Sequence, residues 1–128
     1  MKLLLDTHIF IWWAEEPARL SPIALTALED DSNDLVLSVA SVWEMQIKIQ
    51  IGKMKLSQSM SALIASQQQA NDLPILPIEY THVLALDNLP LHHKDPFDRV
   101  IIAQTIAESL TLVSADTEFP AYPVRLLK

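Results

Sequence analysis

Cysteine is absent from the 128-residue chain, which excludes disulfides and thiolate metal sites. The absence fits a reducing cytoplasm. Basic residues are few: nine Lys and Arg stand against sixteen Asp and Glu, for a formal net charge of −7. A module that grips nucleic acid through a broad basic surface is disfavoured, because such contacts are made mostly by Lys and Arg. An enzyme that meets phosphates through bound cations is not excluded, and a basic protein is the natural complement of such a surface. Long apolar runs are missing too, so no stretch approaches a membrane span. Lys2 followed by leucines imitates a secretory leader, but Asp6 and His8 interrupt the run and no small-residue cleavage site follows. The chain is expected to be soluble, cytoplasmic and free of membrane contacts.

Half of the residues are hydrophobic and a fifth are charged, an ordinary globular balance. The length suits one domain over residues 1–128. Leu3, Leu4 and Leu5 run straight into Asp6, as in a strand buried on both faces that ends on an acid. In open α/β sheets, ligands sit just beyond the carboxyl ends of such strands. Asp6 therefore stands where chemistry is usually placed.

With Thr7 as its cap, the stretch from His8 to Ala14 reads as a short helix, apolar on nearly every side. Such a helix must be covered by this domain's core or by another chain. Trp12 and Trp13 are thus candidates for a dimer or partner surface, with plain core packing as the alternative. His8 is expected to turn away from Asp6. Ser21-Pro22 opens a second helix, and Leu35 to Val39 reads as a second buried strand. Ser41-Val42-Trp43-Glu44 matches a capping box, and the helix it opens is expected to stop at Gly52, the only glycine. Ser57 to Asn71 reads as a surface helix. Leu73 to Pro77, bracketed by prolines, suits an edge strand, and Thr81 to Leu89 a helix stopped at Pro90. Asp95-Pro96 is a cap with proline in the first turn. The helix that follows packs Val100 to Ala103, Ile106 and Ala107. Leu110 to Ser114 and Val124 to Leu127 are the last strands. Strands and helices alternate, so the expected class is α/β, a three-layer sandwich with a central, mostly parallel sheet flanked by helices.

Asp6, Glu44 and Asp116 follow strands and so share the carboxyl edge. Asp98 belongs to a helix that precedes a strand, and the loop from Pro90 to Asp95 leaves the chain length to return to that edge. Its three- and four-residue spacing from Ile101 and Ile102 turns it inward. Taken singly, each acid has a structural explanation as a cap, a dipole partner or a turn residue. Gathered together they do not, since two like charges at about 4 Å repel by roughly 4 kcal/mol even at an effective dielectric near 20. Magnesium or manganese removes that repulsion, takes carboxylate oxygens readily and activates water toward a phosphoryl group.

The ordered blocks Leu3-Leu4-Leu5-Asp6-Thr7, Ser41-Val42-Trp43-Glu44, Asp95-Pro96-Phe97-Asp98-Arg99 and Ser114-Ala115-Asp116 resemble the PIN domain. More narrowly, they resemble VapC-type toxin ribonucleases of toxin–antitoxin pairs. The resemblance implies a metal-dependent endoribonuclease that uses Mg2+ or Mn2+, a small antitoxin partner and a homodimer. It implies Asp6 and Asp98 as principal metal ligands, with Glu44 and Asp116 completing the catalytic quartet. Thr7 and Ser41 resemble residues that orient those carboxylates. Glu118 is a weaker candidate, and Asp95 is treated as a cap. His93 and Lys94, with Arg99, are candidates for RNA contact, Arg99 through an acid or a phosphate. The competing readings are a catalytically inert PIN-like interaction module and a phospho-aspartate protein, either receiver or phosphohydrolase. The phosphohydrolase type calls for a second aspartate where this chain has His8.

Overall fold

The computed structural model describes residues 1–91 and 95–128. Among them the elements run β1 (Lys2–Leu5), α1 (Thr7–Glu15), α2 (Pro22–Glu29), β2 (Asp34–Ser38), α3 (Val39–Gln50), α4 (Met60–Asn71), β3 (Ile75–Leu76), α5 (Tyr80–Leu84), α6 (Pro96–Ala107), β4 (Thr111–Val113) and β5 (Arg125–Leu127), with short 3-10 turns at Pro17–Arg19, Ala85–Asn88 and Phe119–Ala121. The expected class holds.

The sheet order is β3-β2-β1-β4-β5, and every pairing is parallel. β1 lies in the middle, buried on both faces because side chains alternate along a strand. Leu3 and Leu5 join a core with Ile9, Phe10, Leu28 and Leu63 on one side. Leu4 joins Ala40, Ile101, Ile102 and Phe119 on the other. Three leucines in succession are therefore shared between two cores, which is why the run has no polar interruption.

From β1 the chain steps one way to β2 and β3, then returns to the far side of β1 for β4 and β5. The carboxyl ends of β1 and β4 flank the point where the winding reverses, the crevice in which such sheets hold ligands. Asp6 continues this pairing, its N–H donating to the Val113 carbonyl at 3.0 Å. β3 is an edge strand, reduced to two residues behind Pro74.

Several local expectations shift. Asp6, rather than Thr7, caps α1. α3 starts directly off β2 with Ser38 as its cap, the hydroxyl accepting from the Ala40 N–H at 3.0 Å. The box at Ser41 and Glu44 therefore does not form: both lie within the helix, because a serine three residues earlier already satisfies its first amides. Gly52 does follow α3, with φ +75°, a conformation that favours glycine. The helix expected over Thr81 to Leu89 is one turn of α-helix that tightens into a 3-10 turn ending at Asn88. Asp98 needs no detour to reach the carboxyl edge. A helix that delivers the chain to the foot of a parallel strand descends from the opposite edge, so α6 begins at the top.

Candidate active site

Asp6, Glu44, Asp98 and Asp116 line one cavity of about 330 Å³, together with His8, Trp12, Lys48, Asp95 and Ala115. A larger cavity of about 510 Å³ opens beside Lys2, Asp34, Leu35 and Leu110. It lies toward the amino ends of β1, β2 and β4, away from the crevice that receives the strand-end acids.

Asp6 is the most constrained of the four. One carboxylate oxygen accepts from the Thr7 N–H at 2.8 Å and the other from the Ser114 hydroxyl at 2.9 Å. Burial raises its pKa, and those two donors partly offset the rise, with His8 lowering it and Glu44 raising it slightly. Ser114 also accepts from the Asp116 N–H at 3.0 Å, so one hydroxyl sets both strand-end acids. Sequence reasoning passed over this residue, and the signal was the two-residue step from Ser114 to Asp116 at a strand end. Ser114→Ala leaves a buried carboxylate oxygen without its donor and is expected to cost about 1–3 kcal/mol of stability, measured by urea denaturation at neutral pH.

Thr7 acts on Asp6 through its backbone, while its hydroxyl donates to Ser41 at 2.8 Å. Thr7 and Ser41 thus tie α1 to α3 beneath the acids instead of orienting carboxylates with both side chains. Glu44, relieved of any capping role, is buried at 5% exposure. Its Oε2 meets the Lys48 ammonium at 3.1 Å, one helical turn on. Among the described residues, its Oε1 has no hydrogen-bond partner.

Asp98 is half-buried on the first turn of α6. Burial, then the nearby charges of Asp95, Asp6, Glu44 and Asp116, push its carboxyl up to about 8. That order of causes identifies a shared field, since all four neighbours raise the same group. Asp95 caps α6 as expected, accepting from the Phe97 and Asp98 amides at 2.8 and 3.2 Å. Asp116 accepts from the Glu118 N–H at 2.7 Å, so Glu118 contributes its backbone to the turn.

Two expectations are corrected. Arg99 donates to the Pro90 and Leu86 carbonyls at 2.9 and 3.3 Å, because the chain leaving α5 passes within its reach. Its guanidinium pins that loop, and among the described residues it pairs with no acid. His8 does not turn away: at the start of α1 it lines the cavity. His93 and Lys94 lie outside the described residues. Lys48 and Trp12 were not anticipated in the cavity, since only the packing of α1 beside α3 brings them there. Trp12 and Trp13 both pack against the core beneath α1.

Oxygen-only donors, an unpartnered buried carboxylate oxygen and mutual repulsion on Asp98 are what a hard divalent cation relieves, so the residues present fit Mg2+ or Mn2+. The acids are gathered without being drawn to one point: among the described residues no three His, Asp or Glu side chains stand at ion-holding spacing. Glu44 is turned toward Lys48.

The family model for the PIN domain matches residues 3–124. This chain belongs to the PIN domain family. It is 30% identical over 115 residues to Ribonuclease VapC22 of Mycobacterium tuberculosis, covering 89% of this chain and 86% of that protein, which bears out the VapC-type resemblance. Solved structures share the fold. VapBC2 from Rickettsia felis, bound to a DNA fragment from its promoter, superposes with a TM-score of 0.75 at 19% identity, over 99% of this chain and 98% of that one. A toxin–antitoxin complex from Klebsiella pneumoniae gives 0.62 at 18% identity, over 98% and 96%. No helix among the described residues of this PIN domain is long and apolar enough to cross a membrane.

Proposed function

We propose that this PIN domain is an endoribonuclease that hydrolyses RNA phosphodiester bonds with Mg2+ or Mn2+, and that it is the toxin of a toxin–antitoxin pair. The observation that carries the reading is the meeting of four acids from β1, α3, α6 and the β4 end in one cavity, at a cost in mutual repulsion that the fold alone does not require. The ribonuclease name of its 30%-identical relative supports RNA as the substrate.

Asp6, Asp98, Glu44 and Asp116 would hold the ion. When bound, it supplies a water acidic enough to attack phosphorus and a positive charge for the phosphoryl oxygens. The protein's part is to position and to hold protons. Thr7 and Ser114 fix both oxygens of Asp6, so its direction is set before substrate arrives. The raised carboxyl of Asp98 holds its proton at neutral pH, and it would have to give that proton up to ligate an ion. The Lys48 ammonium pairs with Glu44 and lines the same cavity.

The purified chain is expected to cut total cellular RNA with Mg2+, and Asp6→Asn to lower the rate by at least about 100-fold while circular dichroism stays unchanged. Undiminished cutting by that variant would overturn the reading. An antitoxin partner, a homodimer and a cytoplasmic location belong to the same proposal. They are supported by the toxin–antitoxin complexes among the structural neighbours, the formal net charge of −7, and the exposed Trp43 on α3 with exposed Ile51 just past its end.

A further inference from the structure

Next to Ile101, Ile102 and Ala103, α6 buries an amide: Gln104 is fully enclosed. Such a group costs stability unless its donors and acceptor are paired, and an apolar residue of similar size would fill the space without that demand. Its Oε1 accepts from the Ser38 hydroxyl at 2.5 Å, the same hydroxyl that caps α3. Its Nε2 donates to the Pro77 carbonyl at 3.1 Å and lies 3.4 Å from His82 Nδ1, an atom that already accepts from the Glu79 N–H at 2.9 Å. A carbonyl only accepts, so the amide cannot turn over without setting two acceptors face to face. Gln104 therefore holds the start of α3 in one place.

The same two helices touch a second time, where the Trp43 and Phe97 rings meet edge to face at 90° with 5.1 Å between centroids. The start of α3 thus meets the later part of α6, and a point further along α3 meets the first turn of α6, so the pair runs antiparallel. Ser38 stands six residues before Glu44, and Gln104 six residues after Asp98. Equal intervals along two antiparallel helices cover equal rises, so fastening Ser38 to Gln104 brings Glu44 level with Asp98. Both acids line the cavity, whereas Ser38 and Gln104 lie behind it. We propose that Gln104, through Ser38, is a positioning residue for the acid site: it sets the register of α3 against α6 and thereby the spacing of Glu44 from Asp98. The inference rests on the reading of the four acids as an ion site, and it adds what fixes two of them relative to each other.

The test measures Mn2+ binding to the full chain by electron paramagnetic resonance of the free ion, with RNA cutting followed separately at saturating Mn2+. Gln104→Met keeps the volume and loses the hydrogen bonds. Ser38→Gly keeps most of the cap and loses the hydroxyl. Each is expected to weaken Mn2+ binding about tenfold and to lower kcat about 100-fold, with KM for RNA unchanged. The double variant is expected to lose no more than either single one, because the two residues act as one contact. Leu63→Ala, in the core on the other face of the sheet, lowers stability and is expected to keep the wild-type Mn2+ affinity, which separates loss of register from loss of stability. Should Gln104→Met not fold, Ser38→Gly decides alone. Wild-type Mn2+ affinity in Ser38→Gly or in a folded Gln104→Met, or losses that multiply in the double variant, would overturn the inference and leave the ion site standing. A wild-type chain that binds no Mn2+ would remove the ion site itself and the inference with it.

Discussion

At pH 9 and without divalent ions, Asp98→Asn is expected to be more stable than the wild-type chain by about 1–3 kcal/mol, and at pH 4 to be no more stable. The folded protein holds the Asp98 proton up to about pH 8, whereas the unfolded chain releases it near the ordinary value of 3.8. Between those values the native state binds more protons than the unfolded one, so raising the pH destabilises the fold. The contribution is fully present below about pH 4 and is lost progressively as the pH climbs through 8. An amide of the same shape never ionises and escapes the loss. Solvent screening of a half-buried group keeps the gain well under what the full shift would imply. Urea unfolding of both proteins across pH measures it, and an equal gain at pH 4 and pH 9 would show that charge is not the cause. The same substitution is expected to abolish RNA cutting, so stability and activity move in opposite directions, as for a group kept for function and not for folding.

Affinity for Mg2+ or Mn2+ is expected to rise about tenfold per pH unit from pH 6 to about 8 and then to level off. A carboxylate must lose its proton to bind a cation, and Asp98 is the group still protonated in that window. Each ion bound therefore displaces about one proton. Thermal shifts report this directly, because an ion at about 100 times its dissociation constant adds roughly 2.7 kcal/mol to stability. In Asp98→Asn the pH slope should vanish along with most of the affinity. A slope that survives the substitution would assign the proton to another group, and no metal-dependent stabilisation at any pH would favour an inert module.

Much of this was legible beforehand because local patterns and tertiary placement agreed. The Leu3 to Leu5 run with its terminal Asp6 can be read as a strand buried on both faces, since only a strand covered on both faces has no polar side. Aspartate at 95 and proline at 96 give a cap whatever the surroundings. Reading failed where two residues of the same type competed for one role. Ser38 and Ser41 are both able to cap a helix, and which one does depends on where β2 stops, a matter of sheet pairing. Arg99 was expected at an acid or a phosphate because guanidinium suits both, yet a passing carbonyl is a partner that no sequence pattern announces. Lys48 was missed for the same reason: its partner, Glu44, acquires meaning only once α1, α3 and the cavity are assembled.

By itself the sequence determined the alternation of strands and helices, the burial of β1 on both faces, and which acids stand at element ends, because periodicity and capping are local physics. Tertiary structure alone decided the sheet order β3-β2-β1-β4-β5, and with it that Asp6 and Asp116 flank one crevice while Glu44 and Asp98 face it from the helices. Those placements depend on contacts between segments as far as 108 residues apart, such as Ser114 with Asp6, and no window along the chain contains both partners.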